Sequence, residues 1–531
     1  MIGLFACPIL FAVLVSPPAS PAGNSGIIDP ASEAASDTLY IREYRVTGAR
    51  HLPRLQVEEA VYPFLGPGRT REDVEQARAA LEKIYHAAGY QTVTVEIPPQ
   101  EGRGGIVFIR VTEATVGRLR VKGARYFSPA AIKAMAPSLA EGRVVNFNEV
   151  PGDILALDQI PDRQVTPTLR AGAVPGTVDI DLNVKDRNPV HESLELNNRY
   201  SPNTTPLRVN ASLGDTNLWQ LGHAAGLSFQ VAPERSSDAK VFSGYYLAHV
   251  ANAGGLGLML EGTKQDSDIS TLGGAGVAGR GETVGLRALV SLPPAHNFYE
   301  SASLGIDYKH YDQDVHLAGS TLAAPVSYVP LSGLYSATWA APGRTTEVNL
   351  GLNLGLREIG SDSTVFDNRR FGADADFIYF RGDVSRTRDL PGGFQFFAKA
   401  QGQLADQPLV DAEEFSGGGL YTARGYLESE ALGDNGLFGT VEVRSPSLRT
   451  WAGPKVNEWR IYVFSDAGRL TVNDPLPEQV SAFDLVSWGV GSRIRLLDDF
   501  NGSLDAGFPL TNLAPTKAGD VLLTFRVWAD F

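Results

Sequence analysis

An arginine followed by a glycine and an aromatic residue is the most distinctive polar motif of the chain. Arg424, Gly425 and Tyr426 end the stretch FSGGGLYTARGY, whose three consecutive glycines predict a flexible turn between strands. An arginine on a long inward loop stays charged away from bulk water when a carboxylate neutralises it. Asp466, in the stretch FSDAG at residues 464–468, is the partner that we predict. The expected chemistry is an ion pair that holds a loop.

The sequence lacks the usual patterns of catalysis and metal binding. It contains no HExxH, GxSxG or phosphate-loop motif. Its eight histidines are scattered, and no two of them have the spacing of metal ligands. We therefore predict no enzyme, no cofactor and no metal site. A hydrolase that uses Asp and His residues on loops is the alternative that the residues leave open.

Composition narrows the class of protein. The 531 residues are enough for more than one domain. The net charge of −14 and the pI near 5.1 argue against a nucleic-acid partner, since a phosphate-binding surface needs excess Lys and Arg. The 56 glycines exceed the usual share of ~7%, which is typical of strand-and-turn proteins and not of long helical bundles.

The first residues resemble an export signal. The segment 2–15 is mostly apolar, and Ser20-Pro21-Ala22 offers a cleavage site of small residues, which predicts a signal peptide over 1–22 and a linker over 23–38. No Lys or Arg precedes the apolar run, which a start site placed too far downstream would explain. The single cysteine, Cys7, would leave with the signal, as suits an oxidising compartment. No later segment has eighteen continuous apolar residues, so a soluble exported protein or a membrane β-barrel remains.

Two repeats of strand, helix, helix, strand, strand are predicted after the linker, over residues 39–114 and 115–187. In the first, we predict helices over 53–66 and 70–89, the second starting at Thr70 and ending at Gly89. Both repeats carry the phrase Val-x-Gly-Ala-Arg after their first strand. The sheet edges of such units can accept an extended peptide as an added strand.

Residues 190–531 alternate between apolar and polar side chains in segment after segment, which predicts a transmembrane antiparallel β-barrel. In TEVNLGLNLGLRE, five apolar residues from Val348 to Leu356 share one face, and polar residues or glycines occupy the other. About 21 residues for each strand and connection would suit ~16 strands of ~10 residues. Aromatic residues near predicted strand ends are candidates for the membrane–water interface: Trp219, Tyr245, Tyr246, Tyr379 and Trp459.

Here the sequence resembles a known family. GYQTVTVEIPPQ, at residues 89–100, resembles the first POTRA domain of TpsB-type two-partner secretion transporters, also called haemolysin secretion/activation proteins. The segment 157–189, which contains VTPTLRAG and VPGTVDIDL, resembles the second POTRA domain of that family. The stretch that ends at Tyr426 is similar to the inward-folding loop of the wider superfamily that secretes or inserts proteins at the outer membrane. The resemblance covers roughly residues 39–531 and implies two POTRA domains followed by a barrel.

The resemblance also assigns roles to individual positions. It implies a loop tip that lies in the pore, a motif on the barrel wall that meets the tip, a glycine-rich strand beside that motif, and a C-terminal aromatic residue read by the barrel-assembly machinery. The matched positions are Arg424, Gly425 and Tyr426 for the loop tip, and Phe464, Asp466 and Gly468 for the wall motif. They are Gly489, Gly491 and Arg493 for the glycine-rich strand, and Phe531 for the C-terminal aromatic residue. Whether the arginine pair only fixes the loop or also tunes a transport-competent state stays open at this point.

The function that the resemblance implies is protein secretion. A large TpsA-like exoprotein would dock on periplasmic POTRA domains by strand addition, pass unfolded through the barrel and fold outside the cell. The implied partners are this exoprotein, the barrel-assembly machinery, and the lipid bilayer with its lipopolysaccharide, and the implied location is the bacterial outer membrane. An assembly or insertion factor of the same superfamily is the alternative, and a passive solute porin is a third.

Two departures from the family pattern stand out. Many relatives carry an N-terminal helix that plugs the pore. Too few residues separate Ala22 from Leu39 for a helix to cross a ~30 Å layer at ~1.5 Å per residue, so we expect no plug helix. His223 also stands where the resemblance implies an acidic residue.

Overall fold

The structure is a computed structural model. It describes residues 38–531 apart from short gaps at 101–102, 159, 251–254, 268, 271–276, 279, 293–294, 296, 313, 318–319 and 324. The predicted signal peptide and all of the predicted linker except residue 38 lie outside the described residues. The chain divides into two compact units between Arg187 and Asn188. Within the described residues, no helix is both long and apolar enough to cross a membrane.

The unit before Asn188 contains two α+β repeats. The first has a three-stranded sheet in the order β2-β5-β4, with β2 parallel and β4 antiparallel to β5, while β1 pairs with β3. Its elements are β1 (Leu39–Ile41), β2 (Glu43–Thr47), α1 (Arg54–Val61), β3 (Gly66–Arg69), α2 (Arg71–Ala87), β4 (Val93–Glu96) and β5 (Ile106–Glu113). The helix predicted over 53–66 is therefore wrong at its C-terminal end. Pro63, Pro67 and two glycines disfavour helix there, and residues 66–69 form a strand.

Helix α2 shows how the sequence builds this repeat. The Thr70 side chain accepts a hydrogen bond from the Asp73 N–H, and the Asp73 carboxylate accepts one from the Thr70 N–H, which completes a capping box. Leu81 and Tyr85 lie on the apolar face of the helix and are fully buried against the sheet. Gly89 follows the helix end with a φ of +95°, a conformation that glycine adopts without strain.

The second repeat has the same plan. Its sheet has the order β6-β8-β7, with β6 parallel and β7 antiparallel to β8. Ile132, Leu157 and Ile180 are among the fully buried residues of its core. The elements are β6 (Thr115–Lys122), α3 (Pro129–Ala134), α4 (Val150–Asp158), β7 (Arg163–Ala171) and β8 (Thr177–Asp186).

The phrase Val-x-Gly-Ala-Arg marks the same tight turn in both repeats. Gly48 and Gly123 have φ values of +88° and +85°. A Cβ at Gly48 would lie 2.1 Å from the Val111 carbonyl oxygen, and one at Gly123 would lie 2.4 Å from that of Val184. Each glycine thus lets the turn pass directly over the last strand of its sheet.

A carboxylate at the end of that last strand then holds the turn. Glu113 accepts hydrogen bonds from the N–H groups of Arg50 and His51, at 2.8 and 2.9 Å. Asp186, at the equivalent place in the second repeat, accepts bonds from the three N–H groups of residues 125–127. The repeated phrase is therefore a structural device that pairs a glycine turn with a carboxylate.

The unit from Asn188 onward is a closed barrel of sixteen antiparallel strands, as predicted. Within the described residues, three short hairpins and two α-helices lie in the connections between its strands. The barrel strands are β9 (Val190–Asn197), β10 (Arg208–Leu218), β11 (His223–Val231), β12 (Ala239–His249), β13 (Leu256–Ser267), β16 (Arg280–Ser291), β17 (Phe298–Asp312), β20 (Val326–Ala341), β21 (Arg344–Gly360), β22 (Ile378–Asp389), β23 (Gln395–Ala405), β26 (Asn435–Arg444), β27 (Val456–Thr471), β28 (Ala482–Leu496), β29 (Phe500–Pro509) and β30 (Leu522–Asp530). The hairpins are β14–β15 (Ile269–Ser270, Val277–Ala278), β18–β19 (Asp314–Leu317, Ser320–Ala323) and β24–β25 (Phe415–Gly417, Ala431–Gly433), and the helices are α5 (Ser363–Arg369) and α6 (Arg449–Ala452).

Side chains alternate between the two faces of the barrel wall. On β27, Ile461 and Val463 are exposed on the outer face, whereas Tyr462 and Phe464 are buried on the inner face. An apolar outer face and a polar inner face suit a wall between lipid and an aqueous lumen. Tyr379, predicted at the membrane interface, instead points inward and is buried, because it alternates with the outward-facing Ile378 and Phe380.

The two rims of the barrel differ in the length of their connections. The rim at which the chain enters β9 has short turns, such as Pro342–Gly343 between β20 and β21. The opposite rim has longer connections, which contain the three hairpins and α5. The longest of these, residues 406–434 between β23 and β26, contains the Arg424 motif.

Candidate functional site inside the barrel

The segment 406–434, here called the inward loop, folds back against the inner wall of the barrel. Its two arms form the β24–β25 hairpin, in which Phe415 faces Gly433. Beyond the hairpin, Ala423 and Tyr426 are almost completely buried. Gly418 and Gly425 have φ values of +104° and +97°, which residues with a Cβ rarely adopt. Gly419 has a φ of +88°, so the consecutive glycines that were predicted to be a flexible turn form a defined bend.

Arg424 makes the densest set of contacts at the loop tip. Its Nε and Nη2 donate to the two carboxylate oxygens of Asp466 at 2.9 and 3.0 Å, and its backbone N–H donates to Asp466 at 3.0 Å. Its Nη1 donates to Glu442 at 2.9 Å. The guanidinium carbon lies 3.5 Å from the centre of the Phe464 ring. A bidentate ion pair stacked on an aromatic ring exploits the planar geometry that distinguishes arginine from lysine.

The charges around Arg424 balance. Glu442 also binds Arg444 at 2.6 Å and lies 3.4 Å from Arg493. Asp505 accepts a hydrogen bond from the Tyr462 hydroxyl at 2.7 Å and lies 3.9 Å from Arg424. The three arginines thus face three carboxylates, Glu442, Asp466 and Asp505. Such pairing is what allows the Arg424 guanidinium and the three carboxylates to be buried in one place.

Gly425 and Tyr426 fix the tip against neighbouring strands. A Cβ on Gly425 would lie 3.1 Å from the backbone carbon of Gly507, and one on Gly507 would lie 2.5 Å from the Gly425 nitrogen. The loop and β29 therefore touch backbone to backbone. The Tyr426 hydroxyl lies 2.9 Å from the carbonyl oxygen of Val486 and 2.7 Å from the Thr511 hydroxyl.

The glycines of β27 and β28 make room for aromatic rings. Gly489 lies directly opposite Phe464, and a Cβ there would lie 2.3 Å from the ring. Gly491 lies opposite Tyr462, and a Cβ on Gly491 would lie 2.4 Å from the Tyr462 ring. Gly468 lies opposite Phe438, and a Cβ on Gly468 would lie 2.1 Å from the Phe438 ring. Each ring lies across the neighbouring glycine, as in the aromatic covering of glycines seen in curved sheets. The ring of Phe464 is thereby held beneath the guanidinium.

Arg493 completes this part of the wall. Its guanidinium carbon lies 4.4 Å from the centre of the Tyr462 ring, and its guanidinium group reaches Glu442. The predicted loop tip, wall motif and glycine-rich strand are therefore assembled in one inner-wall cluster. Phe531 lies elsewhere, at the seam between the first and last barrel strands.

Phe531 helps to close that seam. Its N–H donates to the Glu192 carbonyl oxygen at 2.8 Å, and its carbonyl oxygen accepts from the Glu192 N–H at 3.1 Å. Its ring packs edge-to-face against Phe500, with centroids 5.9 Å apart. The pairing of β30 with β9 has five residue pairs, from Arg526 opposite Asn197 to Asp530 opposite Ser193.

Sequence reasoning missed a second anchor, which joins the inward loop to the start of the barrel. Glu428 accepts a hydrogen bond from the Arg199 guanidinium at 2.6 Å, and both side chains are buried. The Arg199 guanidinium carbon lies 4.8 Å from the centre of the Tyr421 ring. Gly419 allows this packing, since a Cβ there would lie 2.1 Å from the Glu428 carboxylate. The loop is thus tied to the segment directly after β9.

A third anchor holds the base of the loop. Glu413 is buried and binds Lys309 at 2.6 Å together with the hydroxyls of Tyr328 and Tyr379 at 2.6 and 2.7 Å. Tyr379 therefore has an inward polar partner, which explains its position on the lumen side.

A fourth anchor lies beside it. Asp434, fully buried, accepts hydrogen bonds from Arg370 at 2.8 Å and from two backbone N–H groups, and Arg370 also pairs with Glu414. The signal in the sequence was the number of acidic residues in this one connection, which require cationic partners elsewhere.

The described part of the chain contains no cluster of His, Cys, Asp and Glu residues that could hold a metal ion. The charged side chains of the inward loop described above pair with charged residues elsewhere in the barrel unit and with backbone groups. What this arrangement can do is hold a polypeptide segment inside a barrel through contacts that can be broken without a chemical reaction.

Comparison with known proteins identifies the fold. The model of the haemolysin secretion/activation protein family ShlB/FhaC/HecB matches residues 176–494, and the model of the ShlB-type POTRA domain matches residues 39–114. The outer membrane transporter CdiB of Escherichia coli O6:K15:H31 is 23% identical over 522 residues, which cover 91% of this chain and 82% of that protein.

Solved structures agree with this fold. CdiB from Escherichia coli has a TM-score of 0.65 at 20% identity, covering 95% of this chain and 93% of that chain. BamA from Haemophilus ducreyi lacking POTRA domains 1–3 has a TM-score of 0.55 at 14% identity, covering 93% of this chain and 100% of that chain. These likenesses confirm the predicted architecture of POTRA domains followed by a barrel.

The family match spans more than half of the chain, and it agrees with the predicted location in the bacterial outer membrane with POTRA domains in the periplasm. The chain therefore belongs to the haemolysin secretion/activation protein family, a family of outer-membrane transporters.

Proposed function

We propose that this protein secretes a large exoprotein, which its POTRA domains bind unfolded in the periplasm and its barrel conducts to the cell surface. The observation that carries this proposal is the inward loop. A closed barrel holds a long polar loop against its inner wall, and Arg424 fastens the tip through Asp466 and Glu442. A loop held by ion pairs and hydrogen bonds is a removable obstruction, as a route for a polypeptide requires.

The second POTRA repeat offers a docking edge for an extended segment. Within the described residues, strand β7 (Arg163–Ala171) pairs only with β8, so its other edge has no strand partner. An unfolded chain can add to such an edge through backbone hydrogen bonds without a defined sequence. Pro167 lacks an N–H, and the Val165 N–H already donates to the Asp158 carboxylate at 2.8 Å, so strand addition would be interrupted at these two positions.

The residues at the loop tip have a role in this proposal. Arg424, Gly425 and Tyr426 form the tip that must leave the wall, and Phe464, Asp466 and Gly468 form its seat. Gly489, Gly491 and Arg493 shape the wall around that seat. The sequence contains no nucleotide-binding motif. Folding of the exoprotein outside the cell can bias its movement outward, as the family implies.

Assembly of the barrel itself would involve the barrel-assembly machinery. Phe531 is an aromatic residue at the end of the last alternating strand and is the position that such machinery would read. The outer face of the barrel would contact phospholipid near one rim and lipopolysaccharide near the other.

An insertion factor of the same superfamily is the second candidate. The likeness of the fold to BamA and the five-pair seam between β30 and β9 favour it. The two POTRA repeats and the match to a secretion family favour the transporter.

Photo-cross-linking in the native bacterium tests the proposal. The experiment compares two exposed positions on edge strands. One photoreactive residue replaces Gln164 on β7, and a matched one replaces Thr94 on β4 of the first repeat. We expect Gln164 to capture a large protein that is also found on the cell surface or in the medium, and Thr94 to capture much less of it. Capture of outer-membrane barrel proteins from both positions would instead favour the insertion factor.

A further inference from the structure

Three arginines lie together on the outer face of the barrel. Arg344 begins β21 and stands directly opposite Arg388 on β22. Arg386 lies two residues along β22, opposite Thr346. All three share the outward face with Val384, which is exposed on the lipid side. With strands ~4.8 Å apart and ~3.4 Å per residue along each strand, the three side chains can reach a single anion.

These arginines have no counter-ion among the residues that the structure describes. Within the described residues, none of the three side chains forms an ion pair or a side-chain hydrogen bond, whereas outward-facing charges near the other rim pair as Lys264–Glu282 and Arg280–Asp266. The outward positions of β20, β21 and β22 at this end carry no carboxylate. Three like charges at the edge of an apolar surface require a partner from outside the chain.

Their level along the barrel points to the lipid head groups. Arg344 directly follows the turn Pro342–Gly343 at the rim where the chain enters the barrel, which is the periplasmic rim. On the neighbouring strand, Trp339 lies opposite Thr346 and stacks with Phe298 at 4.5 Å between ring centres. Outward-facing Trp and Phe near a rim are typical of the membrane–water interface. The arginines therefore lie where the phosphates of the periplasmic leaflet would be.

A groove on the same face begins at Arg386. It has a volume of about 430 Å³ and crosses β23, β26 and β27, where the outward side chains are short: Ala398, Ala400, Gly439, Ser465 and Ala467. Its surface is mostly apolar, and it is open to the lipid side of the wall. An acyl chain can lie in such a groove while its phosphate stays near Arg386.

We propose that Arg344, Arg386 and Arg388 bind the phosphate of an anionic phospholipid of the periplasmic leaflet, with one acyl chain in the adjacent groove. Three cations, with no carboxylate at the outward positions of β20, β21 and β22 at this end, select against a zwitterionic head group, whose ammonium would be repelled. A lipid that fills this site would brace β22, β23, β26 and β27 from outside. Strands β26 and β27 carry Glu442 and Asp466 on their inner face, so the site lies behind the seat of the inward loop.

Native mass spectrometry of the whole protein in detergent tests this site. The probes are dioleoyl phosphatidylglycerol and dioleoyl phosphatidylethanolamine. The variants are a triple Arg344→Gln/Arg386→Gln/Arg388→Gln variant and, as a control, Arg449→Gln in the turn at the same rim. Shifted migration of the unheated protein on a gel confirms that each variant is a folded barrel.

We expect the wild type and the Arg449 variant to retain phosphatidylglycerol over phosphatidylethanolamine. We expect the triple variant to lose about tenfold or more of this retention, since interfacial arginines attract anionic lipid electrostatically. Equal retention of the two lipids by the wild type would overturn the proposal, and so would unchanged retention by the triple variant.

A second comparison separates a lipid from a free anion. Filling the groove with Ala467→Leu, while the arginines stay intact, should weaken phosphatidylglycerol retention. Inorganic phosphate at the same concentration as the lipid should not displace it. Displacement by inorganic phosphate, or full retention in the Ala467 variant, would show that the groove does not hold an acyl chain and would overturn the site as proposed.

Discussion

The ion pair between Arg424 and Asp466 allows one perturbation to be worked out in detail. Arg424→Ala removes the three side-chain hydrogen bonds to Asp466 and Glu442 and the stacking on Phe464, while the two carboxylates stay buried. Breaking a buried ion pair by removing one partner costs about 3–5 kcal/mol. Because the cluster lies beside a polar lumen, we take about 3 kcal/mol, which corresponds to a shift of about a hundredfold toward the released loop.

The assay is single-channel conductance of the refolded protein in planar bilayers. We expect discrete pores in the wild type that are closed most of the time, and in Arg424→Ala a much larger open fraction or a larger conductance. Arg424→Lys should be intermediate, since lysine keeps the charge but cannot form the bidentate, stacked contact. Arg449→Ala, in the α6 turn, is the control and should behave as the wild type.

A double-mutant comparison sharpens this test. If the two side chains act as one unit, Arg424→Ala/Asp466→Ala should change the open fraction no more than the larger single change. Additive effects would mean that the residues act separately. A pore whose conductance and gating are indifferent to Arg424, in protein verified as folded, would refute the claim that this pair holds the loop.

Four further predictions follow from other positions. Gly425→Ala should release the loop tip as Arg424→Ala does. The φ of +97° at position 425 costs a residue with a Cβ about 1–2 kcal/mol, and the new Cβ meets the backbone of β29. Faster proteolysis of the loop would show the release. Gly489→Leu should reduce the folded fraction on unheated gels, because a side chain there overlaps the ring opposite it. Burial raises the pKa of Glu113, but hydrogen bonds from two backbone N–H groups, a histidine and a tyrosine outweigh it and hold the pKa below its usual value. The stability that the ionised Glu113 contributes is therefore present above the ordinary carboxyl range and is lost as the pH falls through the lowered pKa. Glu113→Gln should lower the midpoint temperature of the first unfolding transition at pH 7 and make that temperature less dependent on acid pH, as measured by calorimetry. Phe531→Ser should lower the amount of folded protein in the outer membrane at unchanged synthesis, as measured by cell fractionation.

The sequence revealed the architecture because its patterns are local. Period-two alternation identifies a wall strand from the strand itself, as it does for the five apolar residues from Val348 to Leu356. The pairing of Arg424 with Asp466 needed two further premises: a buried arginine requires a carboxylate, and the family resemblance implies that the wall motif with Asp466 meets the loop tip. The two side chains are in contact in the structure.

The remaining anchors depend on strand register and on distant positions, which a single sequence does not reveal. Glu442 and Asp505 reach the site from β26 and β29, and nothing in their own segments points to Arg424. Arg199 lies 229 positions before its partner Glu428. Tyr379 was misplaced for a related reason, since proximity to a strand end does not tell which face a residue occupies.

The measurement that tests the central claim most directly is the surface and secreted proteome of the native bacterium with and without this protein. The account predicts that deletion removes one large exoprotein from the cell surface and the medium, that the barrel proteins of the outer membrane stay at normal levels, and that a plasmid copy restores secretion. Depletion of many outer-membrane barrels, or a surface and secreted proteome unchanged by the deletion, would contradict it.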